Sequence, residues 1–116
     1  MQINKYLQQR PLIFDGAMGT YYSEFSNQKC EFGNINDKET ILKIHKEYIE
    51  AGCKAIRTNT FGANSVSMES SFDTVKDSII NAIEIAKKAV SEDEIFLFAD
   101  IGPIPSSKNN NTFDEY

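Results

Sequence analysis

Apolar side chains recur every three or four positions in two stretches of the chain, which is the spacing of one face of an α-helix. The first stretch contains Ile41, Leu42, Ile44, Tyr48 and Ile49. We expect this helix to begin near Asn36 or Asp37, where Asn36 and Glu39 have capping-box spacing, and to end at Gly52. The second stretch predicts a helix over residues 72–90, with an apolar face of Val75, Ile79, Ala82, Ile83, Ala86 and Val90.

We predict strands at about residues 11–14, 53–60 and 95–99, with Ala55 and Ile56 buried in the second. In the first and third, the apolar residues do not alternate with polar ones. Such runs are typical of strands buried on both faces, as in parallel sheets. We expect a short helix or arm over residues 1–10, loops over 15–36 and 106–112, a turn at 92–94 and a helix start at 112–116. Strands that alternate with helices predict an α/β fold with a parallel sheet. Periodicity leaves open whether the sheet is doubly wound or a (β/α)₈ barrel.

Composition narrows the class of protein. The 116 residues are 41% hydrophobic and 25% charged, with a formal net charge of −5. The acidic balance and the lack of a basic patch argue against a nucleic-acid or anionic-membrane partner. No apolar run approaches the roughly 18 residues of a membrane span, and residues 1–5 lack a signal-peptide core. Cys30 and Cys53 form no metal-spacing motif, so we expect reduced thiols in a cytoplasmic protein.

The first candidate site follows the first predicted strand, in the segment Asp15-Gly16-Ala17-Met18-Gly19-Thr20. Asp15 would stand at the strand's carboxyl end, where α/β folds build their sites. We expect Gly16 and Gly19 to allow positive φ and close approach to a ligand. The amides around Gly16, Ala17 and Met18 would then form an anion-binding concavity beside Asp15. A carboxylate beside free amides suits a zwitterion; alternatively, Asp-Gly simply turns the chain, and Met18 is packing.

Polar residues also follow the second and third predicted strands. Thr58, Asn59 and Thr60 have short side chains that both donate and accept hydrogen bonds. They would line a polar pocket, or else cap the strand and the next helix. Asp100, after the third strand, is a second candidate carboxylate. His45 lies beside the packed face of its helix, and we assign it no chemistry.

The motifs taken together resemble the homocysteine S-methyltransferase family, which includes the homocysteine-binding module of methionine synthases. The matching residues are Asp15 to Thr20, Cys30, Asn34, Ile44-His45, Tyr48-Ile49, Ala51-Gly52, Thr58 to Asn64 and Ile101-Gly102-Pro103. The resemblance implies a (β/α)₈ TIM-type barrel, which needs about 250 residues. Residues 1–116 would be the N-terminal portion of that domain, its first three βα units. We therefore expect an incomplete barrel that is not a stable enzyme alone, because a three-strand arc exposes a sheet edge and an apolar face.

The resemblance also implies a reaction and a substrate. In this family zinc binds the homocysteine thiolate, which takes a methyl group from a donor and becomes methionine. The zinc ligands are cysteines in the later half of the barrel, so we expect neither metal ligands nor catalytic residues in this chain. Asp15 would bind the substrate ammonium, the amides of Gly16, Ala17 and Met18 its carboxylate, and Thr58 to Thr60 would form the pocket floor.

These residues do not identify the methyl donor. Family members use methylated folate through cobalamin, betaine or S-methylmethionine, and some are fused to a methylenetetrahydrofolate reductase domain, so fusion to folate- or cobalamin-related domains is possible here. Two other classes of function stay open. One is another parallel α/β enzyme that uses Asp15 and Asp100 as general acid and base. The other is a non-catalytic module that binds a small molecule.

Overall fold

The computed structural model describes residues 1–91 and 94–105. In this part of the chain, helices and strands follow one another as an α/β arrangement, as the sequence predicts. The elements are α1 (Ile3–Gln9), α2 (Gly19–Tyr22), α3 (Cys30–Asn36), α4 (Lys38–Glu50), β1 (Ala55–Arg57), α5 (Ser65–Met68), α6 (Phe72–Ala89) and β2 (Phe96–Phe98).

The sheet is parallel, as predicted from the alternation of strands and helices. β1 pairs with β2 in the register Ala55 to Phe96, and its other edge forms an isolated parallel bridge to Phe14. The main chain continues this pairing, because the Asp15 amide donates to the Ala55 carbonyl at 2.9 Å. β1 therefore lies between the segment that ends at Phe14 and β2, and the carboxyl ends of all three face the same edge.

One face of the sheet packs against helices α4 and α6. Ile56 and Leu97, which are register partners, contact a buried cluster that also contains Cys53, Ala86 and Ala89. A second buried cluster joins α4 and α6 to α2 and consists of Tyr22, Ile41, Ile44 and Ile85. Each fully buried side chain of this size contributes roughly 1.5–3 kcal/mol relative to an exposed one.

The opposite face of the sheet carries aromatic side chains. The rings of Phe14 and Phe98 are 4.9 Å apart, and Tyr6 of α1 packs edge-on against Phe96. The prediction that the first strand is buried on both faces is wrong: Ile13 is 61% and Phe14 42% exposed. The reason is that this segment forms a single bridge at the edge of the described sheet, so it has a neighbouring strand on one side only.

The two long helices agree with the periodicity, but the predicted cap of α4 does not form. Asp37 is its N-cap, and the Asp37 carboxylate accepts from the hydroxyls of Tyr22 and Thr40 instead of from the helix amides. The predicted stop is confirmed, because Gly52 follows α4 with a φ of +113°, a conformation that favours glycine.

The predicted loop over residues 15–36 is wrong, since it contains α2 and α3. The structure also has α5, which the sequence analysis missed and whose first turn is capped by the Asn64 side chain accepting from the Ser67 amide. Predictions for residues 92–93 and 106–116 lie outside the described residues. Within residues 1–91 and 94–105, no helix is long and apolar enough to cross a membrane.

Candidate functional site

A cleft of about 590 Å³ opens at the carboxyl ends of the strands. It brings together residues that follow all three strands, which is where parallel α/β folds bind ligands. Its lining includes every predicted binding residue and the second candidate carboxylate: Asp15, Gly16, Ala17, Met18, Thr58, Asn59, Thr60 and Asp100.

The Asp15 carboxylate is held by Arg57, a residue that the sequence analysis did not single out. The Arg57 side-chain Nε donates to Asp15 Oδ1 at 2.9 Å, and its backbone amide donates to Oδ2 at 3.1 Å. A third bond runs from Arg57 Nη2 to the Asp15 carbonyl at 3.2 Å. The Asp15 side chain is 5% exposed and that of Arg57 41%. The negative charge of Asp15 is therefore balanced within the protein.

The segment after Asp15 keeps its amides free. Among the described residues, the backbone amides of Gly16, Ala17 and Met18 donate no hydrogen bond. Tyr48 of α4 fixes this segment, because its hydroxyl donates to the Ala17 carbonyl at 2.7 Å. Free amides in a fixed turn can receive an anionic group.

The expected positive φ at Gly16 and Gly19 is wrong, because among the described glycines only Gly52 has one. Gly16 is required for space instead. A Cβ atom at this position would lie 2.7 Å from Tyr48 Cε1, whereas one at Gly19 would meet only the Cys30 sulfur, at 3.9 Å.

Thr58 and Thr60 use their hydroxyls to join β1 to the segment after β2. The two hydroxyls are 2.7 Å apart, Thr60 Oγ1 donates to the Asp100 carbonyl at 2.6 Å, and the Asp100 amide donates to Thr58 Oγ1 at 3.1 Å. Both threonines are buried. Their hydroxyls therefore position one wall of the cleft.

Asn59 links the same wall to α3. Its side-chain nitrogen donates to the Cys30 carbonyl at 2.8 Å and to Asn34 Oδ1 at 2.9 Å. Asn34, which is fully buried, donates in turn to the Asn59 carbonyl and to Ser78 Oγ of α6. The Ser78 hydroxyl donates to the Glu31 carbonyl at 2.7 Å. This network fixes α3 and α6 against the end of β1.

Glu31 is the second buried carboxylate of the cleft and was also missed, because it lies in the segment predicted as a loop. It is 8% exposed, and its Oε2 accepts from the Gly62 amide at 3.1 Å and from the Cys30 thiol at 3.3 Å. Burial, together with the adjacent Glu31 charge, raises the pKa of Cys30 to about 12. The Cys30 sulfur is thus a protonated thiol at neutral pH. In the sequence, Glu31 is marked only as an acidic residue between Cys30 and Phe32, which does not indicate that it is buried at the cleft.

His45 does not line the cleft. It is fully buried, and neither ring nitrogen has a hydrogen-bond partner among the described residues. Burial lowers its pKa to about 4, although the Asp15 charge acts in the opposite direction. His45 is therefore a neutral, packed imidazole at physiological pH.

The described residues do not fit a zinc site. No three His, Cys, Asp or Glu side chains in this part of the chain lie close enough to hold a metal ion. Cys30 lies at the cleft as a protonated thiol, whereas Cys53 is buried in the cluster with Ile56, on the helix side of the sheet.

Comparison with known proteins agrees with the motifs in the cleft. The sequence profile described as Homocysteine S-methyltransferase matches residues 12–116. Methionine synthase of Mycobacterium tuberculosis (strain ATCC 25618 / H37Rv) is 31% identical over 97 residues, which cover 74% of this chain and 8% of that protein.

The fold is similar to the crystal structure of the homocysteine methyltransferase MmuM from Escherichia coli in its metallated form. The TM-score is 0.70 at 20% sequence identity, over 87% of this chain and 41% of that chain. This chain thus spans less than half the length of either protein. The resemblance predicted from the motifs is confirmed, and the chain belongs to the homocysteine S-methyltransferase family.

Proposed function

We propose that the cleft is the amino-acid part of a homocysteine-binding site, in a protein that transfers a methyl group to the homocysteine sulfur and forms methionine. The observation that carries this proposal is the convergence of the family's two motifs, one after the first strand and one after β1, on a single cleft. A cleft of about 590 Å³ has the size of a small-molecule site.

The free amides of Gly16, Ala17 and Met18 are the proposed partners of the substrate carboxylate, since these residues line the cleft and their amides donate to no other described residue. Asp15 is the predicted partner of the ammonium, with its charge shared with Arg57. Thr58, Asn59 and Thr60 form the floor. Because the two threonine hydroxyls and the Asn59 side-chain nitrogen already form hydrogen bonds within the protein, we infer that these groups contribute shape more than hydrogen bonds.

The proposed architecture is a (β/α)₈ barrel in which residues 1–116 supply the first three βα units. The sequential order of the parallel strands and the half-exposed aromatic face with Phe14 and Phe98 support it. In a closed barrel, this face would be covered by the side chains of further strands.

The remaining parts of the proposal concern groups outside this chain. We place the zinc ligands that the family resemblance implies there, because the described residues hold no ligand set. A methyl donor must bind on the homocysteine sulfur side. Fusion to folate- or cobalamin-related domains and a cytoplasmic location belong to the same proposal.

The test is L-homocysteine binding, measured by titration calorimetry under reducing conditions with zinc present, on protein expressed from the complete reading frame. We expect Gly16→Ala to weaken binding about tenfold or more, because its Cβ displaces the Tyr48 ring and the segment that Tyr48 holds. Gly19→Ala is the matched control, since its Cβ has space, and should bind within about twofold of wild type.

Activity is then measured as methionine formation with S-methylmethionine, betaine or methylated cobalamin as donor. Wild-type protein that neither binds homocysteine nor forms methionine with any donor would refute the proposed function. Equal effects of the two alanine substitutions would refute the assignment of the Gly16 segment to the substrate.

A further inference from the structure

The cleft contains two buried carboxylates that differ in their charge balance. Asp15 is paired with the guanidinium of Arg57 at 2.9 Å. Glu31, within the described residues, has no cationic partner. Lys29, the other cation of the cleft lining, donates its ammonium to the Ser67 carbonyl instead. Buried carboxylates are normally paired with a cation, and Glu31 lacks one among the described residues, so a cationic ligand group is a candidate partner.

The hydrogen bonds of Glu31 leave one of its oxygens available. Both of its protein contacts, the Gly62 amide and the Cys30 thiol, fall on Oε2. These contacts fix the direction of the carboxylate, because the Gly62 main chain approaches so closely that a Cβ there would lie 3.0 Å from Oε2. The second oxygen, Oε1, accepts no hydrogen bond within the described part of the chain. A carboxylate held by one oxygen and free at the other can receive an ammonium group.

The position of Glu31 is fixed independently of any ligand. The Ser78 hydroxyl holds its carbonyl at 2.7 Å, and this contact belongs to the buried network of Asn34 and Asn59. Glu31 is therefore preorganised at the cleft wall. An uncompensated negative charge in a fixed position favours cationic groups over neutral groups of the same shape.

We propose that Glu31 pairs with the ammonium group of the amino-acid substrate and determines the preference for an amino acid over its deaminated analogue. This inference rests on the proposed function and refines it. Asp15 keeps its proposed contact with the same ammonium, but Arg57 already balances its charge, so Glu31 supplies the charge that is not balanced within the described residues.

The experiment compares L-homocysteine with 4-mercaptobutanoate, which lacks only the amino group, by titration calorimetry on the protein from the complete reading frame. Wild type should bind homocysteine at least about tenfold more tightly than the analogue. Glu31→Gln, which keeps an acceptor for the Gly62 amide, should weaken homocysteine binding about 10- to 100-fold and change binding of the analogue less than about threefold. Glu24→Gln, which removes the same charge from an exposed residue outside the cleft, should change neither.

Two outcomes would overturn the role of Glu31 while the proposed function stands: unchanged homocysteine binding in Glu31→Gln, or equal weakening of both ligands, which is the signature of a structural role. If Glu31→Gln does not fold, equal affinity of the wild type for the two ligands would still overturn the proposal, because it would show that no group of the cleft recognises the ammonium. Absence of homocysteine binding by wild type would instead refute the proposed function itself.

Discussion

Removal of the Asn34 side chain should destabilise the wall of the cleft far more than removal of its neighbour Asn36. Both asparagines lie in α3, and Asn34 is fully buried whereas Asn36 is exposed. Asn34 takes part in three hydrogen bonds of 2.8–3.0 Å with Asn59 and Ser78. Asn36 exchanges two hydrogen bonds with Gln28 at the surface. The pair therefore compares the same substitution in the same helix at two depths.

The magnitude follows from the partners that each substitution leaves behind. Asn34→Ala loses three buried hydrogen bonds, each with a net contribution of about 1 kcal/mol. Ser78 still donates to Glu31, and the Asn59 amide still donates to Cys30, but the Asn59 carbonyl loses its side-chain donor, which adds about 1 kcal/mol or more. We expect a total cost of about 3–5 kcal/mol. Asn36→Ala should cost less than about 1 kcal/mol, because at the surface water can form the hydrogen bonds that Gln28 loses.

Hydrogen exchange followed by mass spectrometry is the suitable assay, since it reports the free energy of local opening within a larger protein. Peptides that cover Cys30–Asn36 and Ala55–Arg57 should lose protection in Asn34→Ala and keep it in Asn36→Ala. The difference in helix propensity between Asn and Ala is below about 0.7 kcal/mol, so it does not account for a gap of the expected size. If the two variants differ by less than about 0.5 kcal/mol in these peptides, the buried network does not stabilise the cleft wall, and the reasoning is refuted.

Two further predictions concern charge. Because the pKa of His45 falls from 6.5 unfolded to about 4 folded, the unfolded state binds more protons between these values. The free energy of unfolding should keep the full contribution of neutral His45 above pH 6.5 and fall by up to about 3 kcal/mol as the pH drops to 4. In urea unfolding, His45→Leu should decline less steeply with falling pH than wild type. Identical pH slopes of the two proteins would contradict the assignment. Arg57→Gln should cost about 1–3 kcal/mol, because Asp15 stays buried without its cation. Asp15→Asn combined with Arg57→Gln should recover part of that loss, and equal stability of the single and double variants would argue against the ion pair.

The sequence predicted the long elements and which residues line the cleft at the strand ends, since both depend on local patterns. The apolar periodicity of α4 and α6 extends over 13 and 18 residues, enough to define a face. The motifs at Asp15 and Thr58 follow directly after strands, and parallel strands bring such positions to one edge. Gly52 marked the end of α4 because it follows the last periodic residue.

The short helices could not be predicted, because α2 and α5 have four residues each and α3 has seven, too few for periodicity to appear. Helices of this length are held by tertiary contacts. In α2 the Tyr22 hydroxyl bonds to Asp37, and in α3 the Glu31 carbonyl bonds to Ser78. The partners lie 15 and 47 positions away in the chain. Arg57 could not be predicted for the same reason, because its contact with Asp15 depends on the pairing of two strands that are distant in the sequence.

The arrangement of the cleft separates the residues that shape it from the residues that carry its charge. The hydroxyls of Thr58 and Thr60 bond to the main chain of Asp100 after β2, and the Asn59 side chain bonds to the Cys30 carbonyl of α3. These three residues therefore join two walls of the cleft. Since these hydrogen bonds are satisfied within the protein, a ligand that displaced them would gain little. The free amides after Asp15, the Oε1 atom of Glu31 and the Asp100 carboxylate are polar groups of the cleft that a ligand can contact without breaking a hydrogen bond within the described residues. These groups suit an anionic and a cationic group on one ligand, which supports the proposal that the cleft binds an α-amino acid.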